Sequence, residues 1–393
     1  MKWRGLMKRI LISNGRSPIT LDFIRNLSHA GHEVYVSETS NLHLSRFSNC
    51  VKKCFLVPSP RFAPLEHVKK MVEIVKNEGI DFVVPAWEDA LLIAKHQNKF
   101  PKTCTVFTSK YPLLYKLHNK SLFINLLESE NIKIPKTVLI ESLDDLDKIE
   151  FPQYALKACY SRASQSVYKI NQGDPYPEIE PSSDQPWVAQ EWLEGKSFCT
   201  FSICHKGRVH AHSTYPVDFT LQKKGRINST VGSYCMTFKA VEHEAILSWV
   251  QNLIKNIRYT GLIAFDFIEL PSGELYAIEC NPRITSGITL FSHDSKIDEA
   301  LFGTNSALIS ADLAIEKQIT PGMLLYGWRS ALTCKKLPLF FSRLFHFKDL
   351  VFQKSDPLPF FAQAFLWLKH SYDIMRFNKR LHGAFTHDLD FEG

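Results

Sequence analysis

A chain of 393 residues, at roughly 150 residues per domain, has room for two or three domains. Its 45% apolar and 22% charged residues are those of an ordinary globular protein, which excludes a disordered tail or a collagen-like fibre. The net charge of +7, from 47 basic and 40 acidic residues, forms no long basic run; it suits an anionic small molecule and gives no support for nucleic-acid binding.

Nine cysteines without a CxxC pair predict free thiols in a reducing compartment. The start is too short in apolar residues for a signal-peptide core, and no run of 18 apolar residues follows, so a cytoplasmic location is expected.

The first part alternates short β runs with helical spacing. A buried-strand run at 9–13 ends on Asn14-Gly15, a helix is predicted over 17–30, and a strand follows at 34–36. A second helix at 65–78 stops at Gly79 and leads into a strand at 81–84, with another strand at 103–107. Strands separated by helices of this length predict βαβ units and a parallel sheet over residues 1–108. Ligands of such a sheet gather at the strands' carboxyl ends, which singles out Asn14-Gly15, Glu38 and the stretch from Pro85 to Asp89, with Glu88 as a lining acid. Glu38 after an Asn-Gly turn mimics a dinucleotide site, but G-x-G-x-x-G is absent and a scaffold role is expected.

From residue 109 to 304 the pattern becomes α+β. One helix is predicted over 111–130, then strands at 155–157, 167–170, 188–190, 198–204, 208–212, 262–269 and 275–281. The stretch 171–186, rich in Pro, Asp, Gln and Ser, reads as a loop between two subdomains, 109–186 and 187–304. His210 and His212 alternate on one strand without a third ligand at metal-like spacing, so satisfied polar side chains are expected there.

The most informative segment is 261–287. A two-residue turn at Ser272-Gly273 pairs Leu270 with Leu275, Ile268 with Ala277 and Asp266 with Glu279. Asn281 shares the face of Glu279 and lies opposite Ala264, while Cys280 points away. Like charges directly paired are destabilising, so two carboxylates and an amide oxygen on one face call for a cation. Oxygen-only ligands select Mg²⁺ or Mn²⁺.

With Asp266 and Glu279-Cys280-Asn281-Pro282-Arg283, this segment resembles the metal-binding hairpin of the ATP-grasp superfamily, nearer its carbamoyl phosphate synthetase and biotin carboxylase branch. Lys120, in Lys116-Leu117-His118-Asn119-Lys120, resembles the first nucleotide-contacting lysine, and Lys157, in Tyr154-Ala155-Leu156-Lys157, the lysine on the α- and β-phosphates. Gln190-Glu191-Trp192-Leu193-Glu194-Gly195 looks like the adenine hinge, with Ser197 where a ribose-binding acid is usual. The resemblance implies a Rossmann-like parallel-sheet domain ahead of an ATP-grasp domain, within an α/β chain. It also implies ATP with Mg²⁺ (or Mn²⁺) as cofactors. Asp266, Glu279 and Asn281 would be the metal ligands; Lys120, Lys157, Gln190, Glu191, Leu193 and Ser197 the nucleotide contacts; Arg283 and Lys157 the catalytic cations. The implied activity is ligation of a small-molecule carboxylate to an amine through an acyl phosphate. A nucleotide-binding regulatory module without catalysis and a bicarbonate-using carboxylase or carbamoyl-type enzyme are the alternatives. Two stretches bear on the choice: 158–166 carries no glycine where relatives have a glycine-rich phosphate loop, and 221–226 is a basic loop.

Residues 305–393 read as mostly helical and aromatic, with eight phenylalanines from Phe340 to Phe365. A basic aromatic helix in 335–370 has the composition to rest on a membrane surface. Asp356-Pro357-Leu358-Pro359 interrupts it, however, and Phe361, Phe365 and Leu368 share one face. That pattern predicts packing on the central domain or a homodimer contact.

Overall fold

The computed structural model describes residues 7–160, 167–219, 235–333, 335–377 and 386–391. The first strands are β1 (Arg9–Ser13), β2 (Glu33–Glu38), β3 (Lys53–Leu56), β4 (Phe82–Val84) and β5 (Thr105–Val106), and they form a parallel sheet in the order β3-β2-β1-β4-β5. Helices α1 (Pro18–His29), α2 (Pro64–Glu78) and α3 (Asp89–Lys95) make the crossovers. Ser17 caps α1 by accepting the Ile19 N–H, and Gly79 ends α2 in the left-handed conformation. Ile10, Ile12, Val34, Val36 and Val84 are buried in this sheet, as its near-continuous apolar runs require.

The helix expected over 111–130 is two. Asn119 is extended (φ −77°, ψ 124°); it ends α4 (Tyr111–His118) and caps α5 (Lys120–Ser129), accepting the Leu122 N–H through its side chain at 3.0 Å. Periodicity ran across the break because Leu114, Leu117, Phe123 and Leu127 all enter the same core.

Strands β6 (Thr137–Ile140), β7 (Gln153–Ala158), β8 (Val167–Asn171) and β9 (Trp187–Glu191) form a four-stranded antiparallel sheet, β6-β9-β7-β8. The 171–186 loop therefore joins two strands of one sheet instead of two subdomains, and β9 lies between β6 and β7. One face, with Ile140, Tyr154, Leu156, Ile170 and Ala189, is buried against Leu146. The opposite face carries Thr137, Gln190 and Lys157.

Strands β10 (Lys196–His205), β11 (Arg208–Pro216), β13 (Gly261–Glu269) and β14 (Leu275–Asn281) make the second large sheet, with β12 (Thr237–Lys239) and α6 (Glu244–Ile257) inserted between β11 and β13. After α7 (Ile297–Phe302), the short strand β15 (Ile309–Ser310) completes the order β14-β13-β10-β11-β15. Strands β16 (Glu316–Gln318) and β17 (Lys348–Asp349) join β12 in a small third sheet. The remaining helices are α8 (Thr320–Gly322), running through a π turn into α9 (Trp328–Thr333), then α10 (Leu337–His346) and α11 (Leu358–Phe377).

The C-terminal helices are tied to the first sheet by a buried ion pair. Arg25 of α1 reaches Asp356 at 2.9 Å with both side chains at most 2% exposed. Asp356 also accepts from Ser48 Oγ at 2.6 Å and the Asn49 N–H at 3.0 Å. The helical face expected to pack inward does not. Phe361, Phe365 and Leu368 are 65%, 55% and 72% exposed, while Leu366 and Phe360 make the inward contact beside Leu21 and Leu44.

Candidate active site

The β13–β14 hairpin brings the acids together. Asp266 pairs with Glu279 and Ala264 with Asn281, as the sequence predicts. The turn differs. Pro271-Ser272-Gly273 forms a three-residue loop closed by Gly273 N–H to Leu270 O (2.8 Å) and Leu270 N–H to Glu274 O (2.9 Å), with Gly273 at φ +84°. That loop offsets the register, so Glu269 faces Leu275 and Ile268 faces Tyr276, where Leu270–Leu275 and Ile268–Ala277 were expected. A bulge at Ile278 adds one residue to β14 and restores the Asp266–Glu279 pairing.

Burial and the neighbouring Glu279 push the Asp266 carboxyl well above the usual range, against the pull of Arg283 and Lys157. Cys199, paired with Asp266 across β10 and β13, gives its thiol hydrogen bond to that carboxyl. Nothing in the sequence spacing marked Cys199; only the β10–β13 register places it. Cys280 is buried on the other face in the core with Phe265.

Two lysines meet these acids. The break at Asn119 puts Lys120 at the start of α5, where its backbone N–H reaches Cys159 O at 3.3 Å and its Nζ lies 3.9 Å from Glu279 Oε1. Lys157, on β7, is buried and donates to Gln190 Oε1 at 2.8 Å. Burial pulls its pKa down to about 8, helped by Lys120 and opposed by Glu279 and Asp266. Desolvation disfavours the charged form of both groups, raising the acid and lowering the lysine. A divalent cation beside the carboxylates and a phosphate chain beside the lysines would favour both charged forms.

In the hinge, the Glu191 N–H is committed to Lys136 O (2.9 Å) and its side chain accepts the Lys136 N–H (3.1 Å). Leu193 follows the end of β9, outside the ladder. Gly195 lies against β13: a Cβ there would stand 2.2 Å from Glu269 O, so the stretch after β9 and the β13–β14 hairpin touch backbone to backbone. Ser197 is exposed at the start of β10, its carbonyl accepting the Val217 N–H at 3.0 Å.

Arg283 donates to Asn281 Oδ1 at 3.0 Å and stacks 4.3 Å over the Trp87 ring. Trp87 precedes Glu88, so the carboxyl end of the first sheet abuts the hairpin. The carboxylate of Glu88 accepts the Phe391 N–H at 2.9 Å. The buried Glu38 holds Arg16 rather than a ribose, and Arg16 also binds Asp388 at 2.8 Å. Residues 386–391 thus lie over the end of the first sheet, a placement with no sequence signal. His210 and His212 are hydrogen-bonded to Asn305 and to Ser202 and Thr214. The glycine-free stretch, from Ser161 onward, and the basic loop 221–226 lie outside the described residues.

Asp266, Glu279 and Asn281 offer hard oxygen donors, and the donor set fits Mg²⁺ or Mn²⁺. A family model for the ATP-grasp domain matches residues 117–287. No curated protein sequence matches the chain. Solved structures do. An L-amino acid ligase from Bacillus licheniformis superposes with a TM-score of 0.56 at 16% identity, covering 75% of this chain and 74% of its own. An N5-carboxyaminoimidazole synthetase from Staphylococcus aureus, complexed with ADP, gives a TM-score of 0.57 at 13% identity, over 79% and 82%. The biotin carboxylase domain of Hydrogenobacter thermophilus 2-oxoglutarate carboxylase, in complex with MgADP, ADP and bicarbonate, gives 0.50 at 14% identity, over 72% and 65%. At these identities the likeness is one of fold. The family-model match shows an ATP-grasp domain over residues 117–287 of this chain.

Proposed function

We propose that the chain is an ATP- and magnesium-dependent ligase joining a small-molecule carboxylate to an amine through an acyl phosphate. The observation that carries this reading is the direct pairing of Asp266 with Glu279 beside Lys120 and the buried Lys157. Asp266, Glu279 and Asn281 would hold Mg²⁺, which when bound supplies charge neutralisation to the phosphates. Lys120 and Lys157 neutralise the same chain, with Gln190 fixing the Lys157 ammonium. Because the Glu191 N–H is engaged in the ladder, base recognition falls to the Glu191 carbonyl and the Leu193 backbone. Ser197 offers the ribose a hydroxyl in place of a carboxylate, a weaker acceptor.

The γ-phosphoryl group passes to a carboxylate oxygen of the substrate and ADP leaves. The amine then attacks the acyl carbon, phosphate departs, and the amine's proton goes to solvent. Arg283, held against Trp87 and Asn281, steadies the charge of the acyl phosphate. Glu88, expected to line the substrate side, is buried with its carboxylate on the Phe391 N–H and is not presented to a substrate.

Purified protein given ATP, Mg²⁺ and pooled amino acids should release ADP and phosphate, and Glu279→Gln should stop it. ADP release that requires bicarbonate would move the assignment to carboxylation. ATP binding without turnover in any substrate panel would make the chain a nucleotide-binding module.

A further inference from the structure

Of the twenty exposed large apolar side chains among the described residues, twelve fall between Leu324 and Leu368. Nine of them stand at helical spacing. Trp328 and Leu332 stand one turn apart on α9. Leu337, Phe341 and Phe345 form a second stripe along α10, with Phe345 at 77% exposure. Leu358, Phe361, Phe365 and Leu368 form a third on α11. Each of these segments has already met its need for a core contact on another side. Ala331 and Phe340 are buried with Phe219 and Met323, and Leu366 is buried with Leu21 and Val351. A helix that is apolar on both faces normally has both faces covered. Helix α9 packs on α10, and α11 packs beside Leu21 and Leu44; exposed apolar stripes of this kind mark interaction sites.

Charge decides what covers it. Residues 320–369 contain seven basic residues and two acidic ones, so this stretch carries +5 of the chain's +7. Both acids are already engaged within the chain. Asp349 accepts the Val351 and Phe352 N–H groups, and Asp356 holds Arg25. Arg329, Lys335, Lys336, Lys348 and Lys354 are exposed around the apolar stripes. A second copy of this face would bring like charge against like charge, which disfavours a homodimer there. Among the described residues no helix is long and apolar enough to cross a membrane.

We propose that α9, α10 and α11 form a basic, aromatic face that docks on an anionic lipid bilayer surface, with the helices lying in the interface. The stripes enter the acyl boundary, and the lysines meet lipid phosphates. Nucleotide turnover and this docking use different residues, so either can fail without the other.

The test is flotation of the full-length protein with vesicles of phosphatidylcholine, alone or with about a third phosphatidylglycerol. Partitioning should be at least about ten-fold stronger on the anionic vesicles and should fall at high salt. Phe345→Ser with Phe361→Ser should weaken binding to both vesicle types. Lys335→Glu with Lys336→Glu should cost about five-fold per lysine on anionic vesicles only. Both double variants should keep the wild-type melting temperature. Failure of the wild type to float with anionic vesicles overturns the proposal. So does a soluble dimer, or a complex with an acidic protein, that the phenylalanine variant disrupts while vesicles stay bare.

Discussion

The β13–β14 hairpin and the C-terminal helices break the same partition rule in opposite directions. At the hairpin, Asp266 and Glu279 are drawn together on one face, and burial pushes the Asp266 carboxyl toward its neutral form. In the C-terminal part, phenylalanines stand in water while the acid Asp356 is buried against Arg25. Both departures cost stability in the isolated chain. On the proposed function a cation and a polyanion would repair the first, and on the proposed docking an anionic bilayer surface would repair the second. Such local conflicts between residue type and environment concentrate where a protein meets something else.

The largest expected effect breaks the hairpin side. Glu279→Gln should lower turnover by at least ~100-fold, since losing even a supporting partner of a metal ligand costs roughly 10–100-fold. Steady-state ADP release checks this, with circular dichroism to show an unchanged fold. On the other side, Arg25→Ala should destabilise the protein by about 3–5 kcal/mol, because it leaves Asp356 buried and unpaired. Urea unfolding reads that directly. A loss of under about 1 kcal/mol would mean that the C-terminal helices are held by other contacts.

The hairpin's electrostatics predict a pH profile for MgATP binding. Asp266 must lose its proton to hold a cation, so affinity should climb as pH rises through its raised pKa. Lys157 must keep its proton to meet phosphate, so affinity should fall as pH rises past about 8. Lys157→Met should abolish the alkaline limb and leave the acid limb in place. The smallest effect sharpens the contrast. Phe345→Ser should change the stability of the free protein by no more than about 0.5 kcal/mol, since that ring is 77% exposed. A core phenylalanine would cost several times more.

Local pattern revealed most of what the hairpin does. Alternation and strand pairing put Asp266, Glu279 and Asn281 on one face, although the two-residue turn assumed for it is a three-residue loop whose offset the bulge at Ile278 cancels. The motifs around Lys120 and Lys157 singled out two lysines that the fold sets near Glu279. Features that depend on long-range packing were not legible. The extended Asn119 interrupts a pattern whose apolar period continues through it, because both helices face one core. Strand β9 follows a long loop yet inserts between β6 and β7, a pairing that local sequence cannot specify. Cys199 and Trp87 acquire meaning only from the strand and ring they lie against. Phe361, Phe365 and Leu368 were legible as a stripe, but periodicity does not say whether a stripe faces inward or outward.

Calorimetric titration of ATP, with and without Mg²⁺, into the wild-type protein and Glu279→Gln tests the central claim most directly. The account predicts that Mg²⁺ tightens ATP binding to the wild type by at least roughly ten-fold, ~1.4 kcal/mol, and that the variant loses this gain. Equal affinity with and without Mg²⁺ in the wild type, or a gain that survives in Glu279→Gln, would contradict it.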